Sequence, residues 1–381
     1  MASGDDRDPI RILHVFGVMD RGGAEMRTVE LMRGMGAGSR FHQEFCTLES
    51  RAGVLDGVIT GLGGVVHPCP VGPGFPARFR ALVRARRIEV VHSHVHLASG
   101  MVMALAAAAG VRRRVAHFRS TADGSSRGIG RALYHRSMRA LIDRFATDIV
   151  GCGESAIIYG WSPRWAEDPR CQVIHNGIDV GLFDRPDERA LVRAELGLAE
   201  GTPLAIHVAS FRAAKNHDRL VDVFAAAARR GPGHLLFAGR GGTPEEASAR
   251  ARVEAHAMGR RIHFLGERAD IARLVCASDV ALLTSWFEGM PGAVLEAVAA
   301  GTPVVANDLP GVLEISRVLP GLTVRSLDDA DDDWGAAIAD GLARPPTMAQ
   351  RAAARDRFRA SHFSLPTAIA RTEALWAKAR P

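Results

Sequence analysis

The sequence predicts an α/β fold made of two doubly wound domains. Short apolar runs rich in β-branched residues alternate with longer helical patterns, which is typical of parallel strands buried on both faces. A polar, turn-rich interval at residues 179–203 separates two such series. The 381 residues leave room for two domains that each have a core.

The two series define the predicted strands and domain limits. The first series has runs at residues 10–16, 41–47, 90–92, 114–118, 147–151 and 173–175, and the second at 204–209, 234–238, 262–265, 280–284 and 303–306. We expect an N-terminal domain at 1–184, a C-terminal domain at 185–361, and a helix within 362–381 that packs back on the N-terminal domain. Because ligands bind beyond the carboxyl ends of such strands, two facing domains predict a site in an interdomain cleft.

Composition excludes several classes of protein. Hydrophobic residues make up 47% of the chain, and the longest apolar stretch, residues 97–111, is shorter than the roughly 20 residues that span a bilayer. The polar N-terminus lacks the pattern of a secretion signal, so we expect a cytoplasmic protein. The five cysteines are scattered without CxxC spacing, which predicts neither a disulfide framework nor a zinc site.

The positive charge does not indicate a nucleic-acid partner. The net charge is +6, and nearly every basic residue is arginine, because Lys215 and Lys378 are the only lysines. No aromatic stacking platform accompanies the arginines, so we expect no nucleic-acid binding. Residues 75–88 place Phe75 and Phe79 opposite several arginines and leave two interpretations open: an ordinary surface helix, or peripheral contact with acidic lipid headgroups at the inner face of the membrane.

A glycine pair follows the first predicted strand. Gly22 and Gly23 precede a helical pattern at residues 26–35, so their backbone N–H groups and the helix N-terminus suit a phosphate, although a plain turn is the alternative. The spacing is not GxGxxG, and the chain has no GxxxxGK[ST] motif. Kinase and ATPase functions therefore lose their main support.

Two glutamates surround a predicted helix start after the strand at residues 280–284. Pro291 suits a first helical position and Gly301 suits the stop, so Glu296 lies about 7.5 Å along the axis while Glu288 occupies the loop. Carboxylates accept hydrogen bonds from the vicinal diols of sugars. A diphosphate suits the helix N-terminus between the two glutamates.

Other polar clusters have competing interpretations. Lys215 follows the strand at residues 204–209, where a compact ammonium suits a phosphate. The histidines at the end of the strand at residues 90–92 are predicted to point to one side, where they could hold a metal: His92, His94 and His96. No neighbouring acid or cysteine completes a metal site. The acidic run at residues 328–333 precedes a helical pattern that starts at Trp334, so helix capping explains it without a metal.

Taken together, these motifs resemble glycosyltransferase family 4. The matching segments are residues 22–25, the strand-end His94, and residues 174–179, 215–217, 264–271 and 288–296. Residues 13–25 resemble the exopolysaccharide-type members of the family. The resemblance implies a GT-B fold and transfer of a sugar, without metal or other cofactor, from a nucleotide-diphosphate sugar to a hydroxyl acceptor. It also implies retention at the anomeric carbon, and UDP is the favoured nucleotide.

The resemblance also implies roles for individual residues. Glu296 would bind the ribose, Glu288 the donor-sugar hydroxyls and Lys215 the diphosphate, while Arg212 would stand in for an arginine that the family has where this chain has Ser210. His94 would orient groups beside the reacting centre. The implied catalytic residues are His94, Glu288, Lys215 and Arg212, and the implied donor-binding residues are Gly22, Gly23, Arg212, Lys215, Arg268, Ile271, Glu288, Gly289, Met290, Pro291, Leu295 and Glu296.

Alternatives remain at this point. A nucleotide-sugar 2-epimerase-like isomerase also uses two Rossmann-like domains, and a non-catalytic donor-binding partner of another transferase would keep the same motifs. The acceptor, a glycan, a lipid-linked sugar or a small molecule, is not identified by the sequence. We expect its contacts in the loops at residues 71–76 and 121–130.

Overall fold

The computed structural model describes residues 8–120, 128–185 and 188–380. The chain divides into two compact units: unit 1 comprises residues 1–177 and 365–381, and unit 2 comprises residues 178–364. The sequence prediction placed the limits at 184 and 361. The chain passes from unit 1 to unit 2 at residue 178, before the predicted limit at 184, because Val180–Phe183 forms a 3-10 helix of unit 2. Phe183 is buried, and its carbonyl accepts a hydrogen bond from the Cys276 thiol.

The described part of unit 1 contains a parallel sheet of seven strands in the order β3-β2-β1-β4-β5-β6-β7. The strands are β1 (Ile10–Phe16), β2 (Phe41–Thr47), β3 (Val65–Pro68), β4 (Val90–Ser93), β5 (Arg113–Phe118), β6 (Asp148–Gly151) and β7 (Cys171–Val173). The first helices of the unit are α1 (Gly23–Met35), α2 (Asp56–Gly61), α3 (Phe75–Ala85), α4 (Ser99–Ala108), α5 (Ile129–Phe145) and α6 (Glu154–Gly160).

The described part of unit 2 contains a second parallel sheet, of six strands in the order β10-β9-β8-β11-β12-β13. Its strands are β8 (Leu204–Val208), β9 (His234–Ala238), β10 (Ile262–Phe264), β11 (Val280–Leu283), β12 (Val304–Asn307) and β13 (Leu322–Arg325). Its helices are α7 (Glu188–Glu195), α8 (His217–Ala228), α9 (Pro244–Ala255), α10 (Ile271–Ala277), α11 (Gly292–Ala299), α12 (Pro310–Ser316), α13 (Asp331–Ala343) and α14 (Met348–Ala360), and helix α15 (Leu365–Ala377) then returns to unit 1.

The predicted alternation of strands and helices in two doubly wound series is confirmed, and the strands that the prediction omitted lie at sheet edges. Central strands such as β4 and β11 are buried along their whole length, because helices cover both faces. Strands β3 and β13 are mostly half-buried, so their sequences lack the apolar run that reveals a central strand. The class is therefore α/β with two doubly wound sheets.

Helix α3 contradicts the interpretation in which its apolar side contacts lipid. Phe75, Phe79 and Val83 are buried in the core of unit 1, so that side is not available to a membrane. The opposite side is exposed and carries Arg80 and Arg84. Among the residues that the structure describes, no helix is both long and apolar enough to span a bilayer.

The acidic run before α13 differs from the prediction in its geometry. The helix begins at Asp331 rather than at Trp334, and its N-cap is Ala330, which makes no side-chain cap. Asp331 pairs with Arg219, and Asp332 pairs with Arg229 at 3.0 Å. The run therefore supplies first-turn carboxylates that favour the helix dipole and pair with α8 and its C-terminal end, instead of a side-chain cap.

Helix α15 is part of the core of unit 1. Trp376 is fully buried in a cluster with Ile10 and Phe41, and its indole Nε1–H donates to His92 Nδ1 at 3.1 Å. Gly177 lies directly against Leu365 and Ala368 of this helix, with no room for a Cβ atom. The C-terminal residues thus cover the sheet at the strand that carries His92.

We expect Trp376→Ala to destabilise unit 1 by about 3–5 kcal/mol while unit 2 keeps its stability, because a large buried side chain leaves a cavity. Trp334→Ala is the matched change in unit 2, where Trp334 is equally buried and donates to Ser326 O at 2.7 Å. Hydrogen exchange resolved to peptides of each unit measures both effects. Equal loss in both units from either variant would contradict the assignment of α15 to unit 1.

Candidate active site

Candidate residues lie at the point in each sheet where the strand order reverses. In unit 1 the reversal falls between β1 and β4, and in unit 2 between β8 and β11. At such a point the loops after the two strands leave in opposite directions and open a crevice at their carboxyl ends. The loops after β1 and β4 carry the glycine pair and His94, and those after β8 and β11 carry Lys215 and Glu288.

The two loops of unit 2 are joined by hydrogen bonds. Lys215 ends a 3-10 turn, and the next residue, Asn216, has a φ of 52° before α8 begins. Thr284 Oγ1 donates to Asn216 O at 3.1 Å, and the Trp286 amide donates to Ala214 O at 2.8 Å. These bonds fix the loop after β11 against the loop after β8.

The structure brings Lys215 and Glu288 into direct contact. Lys215 Nζ pairs with Glu288 Oε1, which also accepts a hydrogen bond from Ser285 Oγ at 3.0 Å. Asn307, at the end of β12, donates from Nδ2 to Ser285 O at 2.9 Å and so supports the same loop. An ammonium and a carboxylate therefore meet in a half-buried position at the switch point of the sheet, which is the place where the strand order reverses between β8 and β11.

Helix α11 extends from this loop and carries Glu296. Pro291 is the N-cap rather than the first helical residue, and Gly301, with a φ of 69°, follows the C-cap Ala300. Glu296 is half-buried in the middle of the helix, about one turn after its first residue Gly292. Gly311 of α12 lies against Gly289 O and Pro291, with no room for a Cβ atom, which fixes the loop between Glu288 and the helix.

Several predicted donor-binding residues have structural partners in this unit. Leu295 is fully buried and its amide donates to Pro291 O at 3.2 Å, so it serves the packing of α11, and the Met290 side chain is also buried. Arg268 forms two hydrogen bonds of 2.8 Å with Asp270 and one of 3.0 Å with Glu195, which raises its pKa. Its guanidinium is thus held by acids.

Two further predicted residues lie at element ends. Ile271 is half-buried and is the first residue of α10, directly after the N-cap Asp270. Arg212 is exposed and precedes the 3-10 turn that ends at Lys215. Both therefore lie beside loops at the carboxyl ends of strands.

The glycine pair of unit 1 begins α1. Gly22 is the N-cap and Gly23 is the first helical residue. The Glu25 carboxylate folds back over Gly22, and a Cβ atom on Gly22 would collide with it. The helix N-terminus, which the sequence assigned to a phosphate, thus already faces an internal anion.

His94 belongs to a hydrogen-bonded network that the sequence did not reveal. Its Nε2 lies 3.1 Å from His14 Nδ1, and its Nδ1 accepts from Arg119 Nε at 3.1 Å. His14 Nε2 lies 3.1 Å from Gln43 Oε1, and Arg119 also donates to Asn176 Oδ1 at 3.2 Å. His94 thus sits between β1 and the residue that follows β5.

A second chain of contacts starts at α15. His92 receives the Trp376 N–H on Nδ1, and its Nε2 lies 3.0 Å from His117 Nδ1. Burial lowers the pKa of His14 to about 3, with a smaller contribution from the Arg119 charge. Burial likewise holds the pKa values of His92, His94 and His117 well below the ordinary value. All four imidazoles are therefore neutral at pH 7.

The histidine cluster differs from the one that the sequence suggested for a metal. His96 leaves the strand and adopts a φ of 50°, whereas His14, His92 and His94 place ligand atoms within 4.8 Å of one another. Every ring nitrogen of these three residues already takes part in a hydrogen bond. The described geometry is that of a hydrogen-bonded cluster of neutral rings.

Sequence reasoning did not select Arg119, His14 or Gln43 as site residues. Arg119 follows the predicted strand 114–118 directly, which is the position where ligand-facing residues of a parallel sheet are found, so a signal existed. His14 and Gln43 lie inside strands and become relevant only through pairing across β1, β2 and β4. Of the expected acceptor loops, 71–76 is described, with Val71 exposed, and residues 121–127 of the other lie outside the described residues.

Comparisons with known proteins identify the class. The chain matches the families described as Glycosyl transferase 4-like domain over residues 22–177 and Glycosyl transferases group 1 over residues 202–343. EpsF of Bacillus subtilis (strain 168), assigned to the glycosyltransferases, is 32% identical over 343 residues, covering 87% of this chain and 88% of that protein. The capsular polysaccharide biosynthesis glycosyltransferase CapH of Staphylococcus aureus is 25% identical over 81% of this chain and 84% of its own length.

Solved structures agree on the fold. HepE of Anabaena, crystallised with UDP and glucose, superposes with a TM-score of 0.77 at 18% identity, covering 97% of this chain and all of that one. Sucrose-phosphate synthase from Thermosynechococcus elongatus gives 0.75 at 20% identity, covering 97% and 98%. The protein is a GT-B glycosyltransferase. It belongs to glycosyltransferase family 4, group 1, and is of the exopolysaccharide type.

We expect the stability of unit 1 to fall as the pH drops below about 6.5. The folded state holds its four clustered histidines neutral, while the unfolded chain protonates them, so unfolding takes up protons and becomes easier as the pH falls. Each histidine contributes about 1.4 kcal/mol per pH unit between its unfolded and folded pKa values. Urea unfolding at pH 7.5 and 5.5, followed by exchange in peptides of unit 1, measures the slope. A free energy of unfolding that stays constant over this range would contradict the neutral cluster.

Proposed function

We propose that the chain is a retaining, metal-independent hexosyltransferase that moves a sugar from a UDP-sugar to a hydroxyl acceptor. The observation that carries the proposal is the contact of Lys215 with Glu288 at the switch point of unit 2, directly before the helix that bears Glu296. One cation and two carboxylates around a helix start suit a diphosphate, a sugar and a ribose. The choice of UDP is supported by HepE, a fold neighbour crystallised with UDP, with UDP and glucose, and with UDP-glucose.

Each group of unit 2 has a proposed partner on the donor. Glu296 accepts from the ribose hydroxyls, and Glu288 accepts from hydroxyls of the transferred sugar. Lys215 leaves or shares its contact with Glu288 and turns to the diphosphate, with exposed Arg212 beside it. The backbone near Arg268 and Ile271 borders the base. Gly23 offers its backbone N–H to a phosphate when Glu25 yields that position, whereas the Gly22 N–H already donates to Asp20 O at 2.8 Å.

The charge changes of the reaction explain why a metal would be unnecessary. When the bond from the anomeric carbon to the phosphate oxygen breaks, negative charge grows on the departing diphosphate. Lys215, Arg212 and the start of α11 can stabilise that charge once the bound donor has drawn Lys215 to the diphosphate. These groups take the role that a divalent cation has in other transferases.

We propose that the acceptor attacks from the face that the diphosphate leaves. The acceptor oxygen then forms its bond to the anomeric carbon as the phosphate oxygen departs, and the acceptor proton passes to that phosphate oxygen. His94 orients groups near the sugar and does not take the proton. Its ring nitrogens are both engaged, with Arg119 and His14, which supports this role.

A peripheral location at the inner face of the membrane remains part of the proposal, in a changed form. The buried apolar side of α3 leaves only its cationic side, with Arg80 and Arg84, to contact acidic headgroups. Such contact is electrostatic and brings the enzyme close to a lipid-linked acceptor. A soluble glycan or a small molecule would need no such surface.

We expect substitution of Glu296 to affect nucleotide binding and substitution of Glu288 to affect turnover. Glu296→Ala should weaken UDP binding by about 1.5–3 kcal/mol, because the ribose loses a charged acceptor. Glu288→Gln should lower kcat without weakening UDP binding, because Glu288 contacts the sugar and its ion pair with Lys215 competes with the diphosphate. Calorimetry with UDP and initial rates measure both, with exposed Glu254→Ala as the control. Equal losses of affinity in both variants would show that the two roles are wrongly assigned.

The stereochemistry and the metal requirement are tested in one experiment. A proton NMR time course of the wild-type reaction in EDTA should show a first-formed linkage with the donor's anomeric configuration, at the rate measured without EDTA. An inverted first product would exclude the retaining mechanism. Activity lost in EDTA and restored by magnesium or manganese would exclude metal independence.

We expect membrane binding to depend on charge alone. Replacing Arg80 and Arg84 by glutamate should weaken sedimentation with phosphatidylglycerol vesicles by at least about 10-fold, since each basic residue near an anionic surface contributes about 1 kcal/mol. Arg260→Glu, an exposed change in unit 2, is the control. Equal binding of wild type to phosphatidylcholine vesicles would contradict the electrostatic contact.

A further inference from the structure

Arg119 connects three segments of unit 1 that are distant in sequence. It follows β5 and donates from Nε to His94 Nδ1 at 3.1 Å. Another of its nitrogens donates to Asn176 Oδ1 at 3.2 Å and reaches Ala24 O, in the first turn of α1, at 3.5 Å. One guanidinium therefore contacts the loop after β4, the segment after β7 and the start of α1.

The contact with Arg119 determines which nitrogen of His94 carries the proton. A guanidinium has donors and no acceptor, so His94 Nδ1 must present its lone pair. The proton of the neutral ring is then on Nε2, where it is donated to His14 Nδ1. His14 in turn carries its proton on Nε2 and donates to Gln43 Oε1. The chain of bonds from Arg119 to Gln43 has a single direction.

Aromatic contacts prevent the His94 ring from turning away. The ring is stacked on Phe16 at 4.3 Å between centroids and an interplanar angle of 10°, and on His92 at 4.4 Å and 26°. The titratable groups that face it are His14 from β1, His92 from β4 and His117 from β5, together with the Arg119 cation. A proton added to this ring would meet a fixed positive charge and no carboxylate among these groups.

We infer that Arg119 is a positioning residue of the transferase that fixes the buried, neutral His94 in the tautomer protonated on Nε2 throughout the catalytic cycle. The inference rests on the proposed function, which puts His94 beside the reacting centre. His94 then takes no proton from the acceptor, and the proton must pass to the departing phosphate. The nitrogen that bears the proton depends on Arg119, and the orientation of the ring depends on Arg119 and on the stacking partners together.

The protonation state is measured without reference to activity. Long-range proton–nitrogen correlation spectra of the full chain, labelled at histidine and assigned with His94→Gln, should show wild-type His94 unprotonated at Nδ1 and unchanged from pH 8 to 6. Arg119→Leu should give a mixture of the two neutral tautomers, because the fixed donor to Nδ1 is gone while burial still keeps the ring neutral. Arg119→Gln, whose amide can donate to Nδ1, should restore the wild-type tautomer. Arg33→Leu removes an exposed arginine of the same unit as the control.

Kinetics test whether the tautomer matters to transfer. Arg119→Leu should lower kcat by up to about 100-fold with the KM for the donor within about 2-fold, since it disturbs orientation rather than binding. Arg119→Gln should recover part of the rate. If Arg119→Leu does not fold, the spectra of the wild type and the rate of Arg119→Gln decide the question.

The outcomes separate this inference from the proposed function. A wild-type His94 that is protonated on Nδ1, or that titrates between pH 8 and 6, overturns the inference whatever the enzyme transfers. The expected spectra together with wild-type kcat in Arg119→Leu overturn the positioning role. An inverted product with the expected spectra overturns the retaining function and leaves the tautomer of His94 standing.

Discussion

Parallel pairing of strands that are buried on both faces is the constraint on which the rest of the structure depends. Such strands cannot place ligand-binding groups along their faces, because helices cover them, so polar groups collect at the carboxyl ends. The effect is greatest where the strand order reverses, between β1 and β4 and between β8 and β11. The proposed catalytic groups of both units lie in the loops that follow these four strands.

The polar groups of the two units differ in burial, and so the two sites differ in charge. In unit 1 the strands themselves carry His14 and His92 into the sheet, and the site is a network of neutral imidazoles under a guanidinium. In unit 2 the polar groups stand in loops, and Lys215 and Glu288 keep opposite charges in a half-buried position. Unit 1 thus supplies fixed orientation, and unit 2 supplies charges that can exchange partners when a ligand arrives.

The sequence predicted the central strands and the charged residues of unit 2, and it predicted less of unit 1. Lys215 and Glu288 follow apolar runs directly, so local pattern alone places them at strand ends. The sequence did not predict strands β3 and β13, because an edge strand needs no continuous apolar run. The network around His94 was not predicted for another reason. Its members come from β1, β2, the end of β4 and the residue after β5, and only the register of the sheet brings them together.

The return of α15 to unit 1 has a consequence for the order in which the molecule is completed. Unit 2 is continuous in sequence, from residue 178 to 364, whereas unit 1 needs residues from both ends of the chain. His92 and Trp376 are separated by 284 positions, so the hydrogen bond between them joins two segments of unit 1 that have the whole of unit 2 between them in sequence. During synthesis on a ribosome α15 emerges after the strands of both sheets. The histidine cluster therefore acquires its indole donor only after unit 2 has been synthesised, so unit 2 can fold before unit 1 closes.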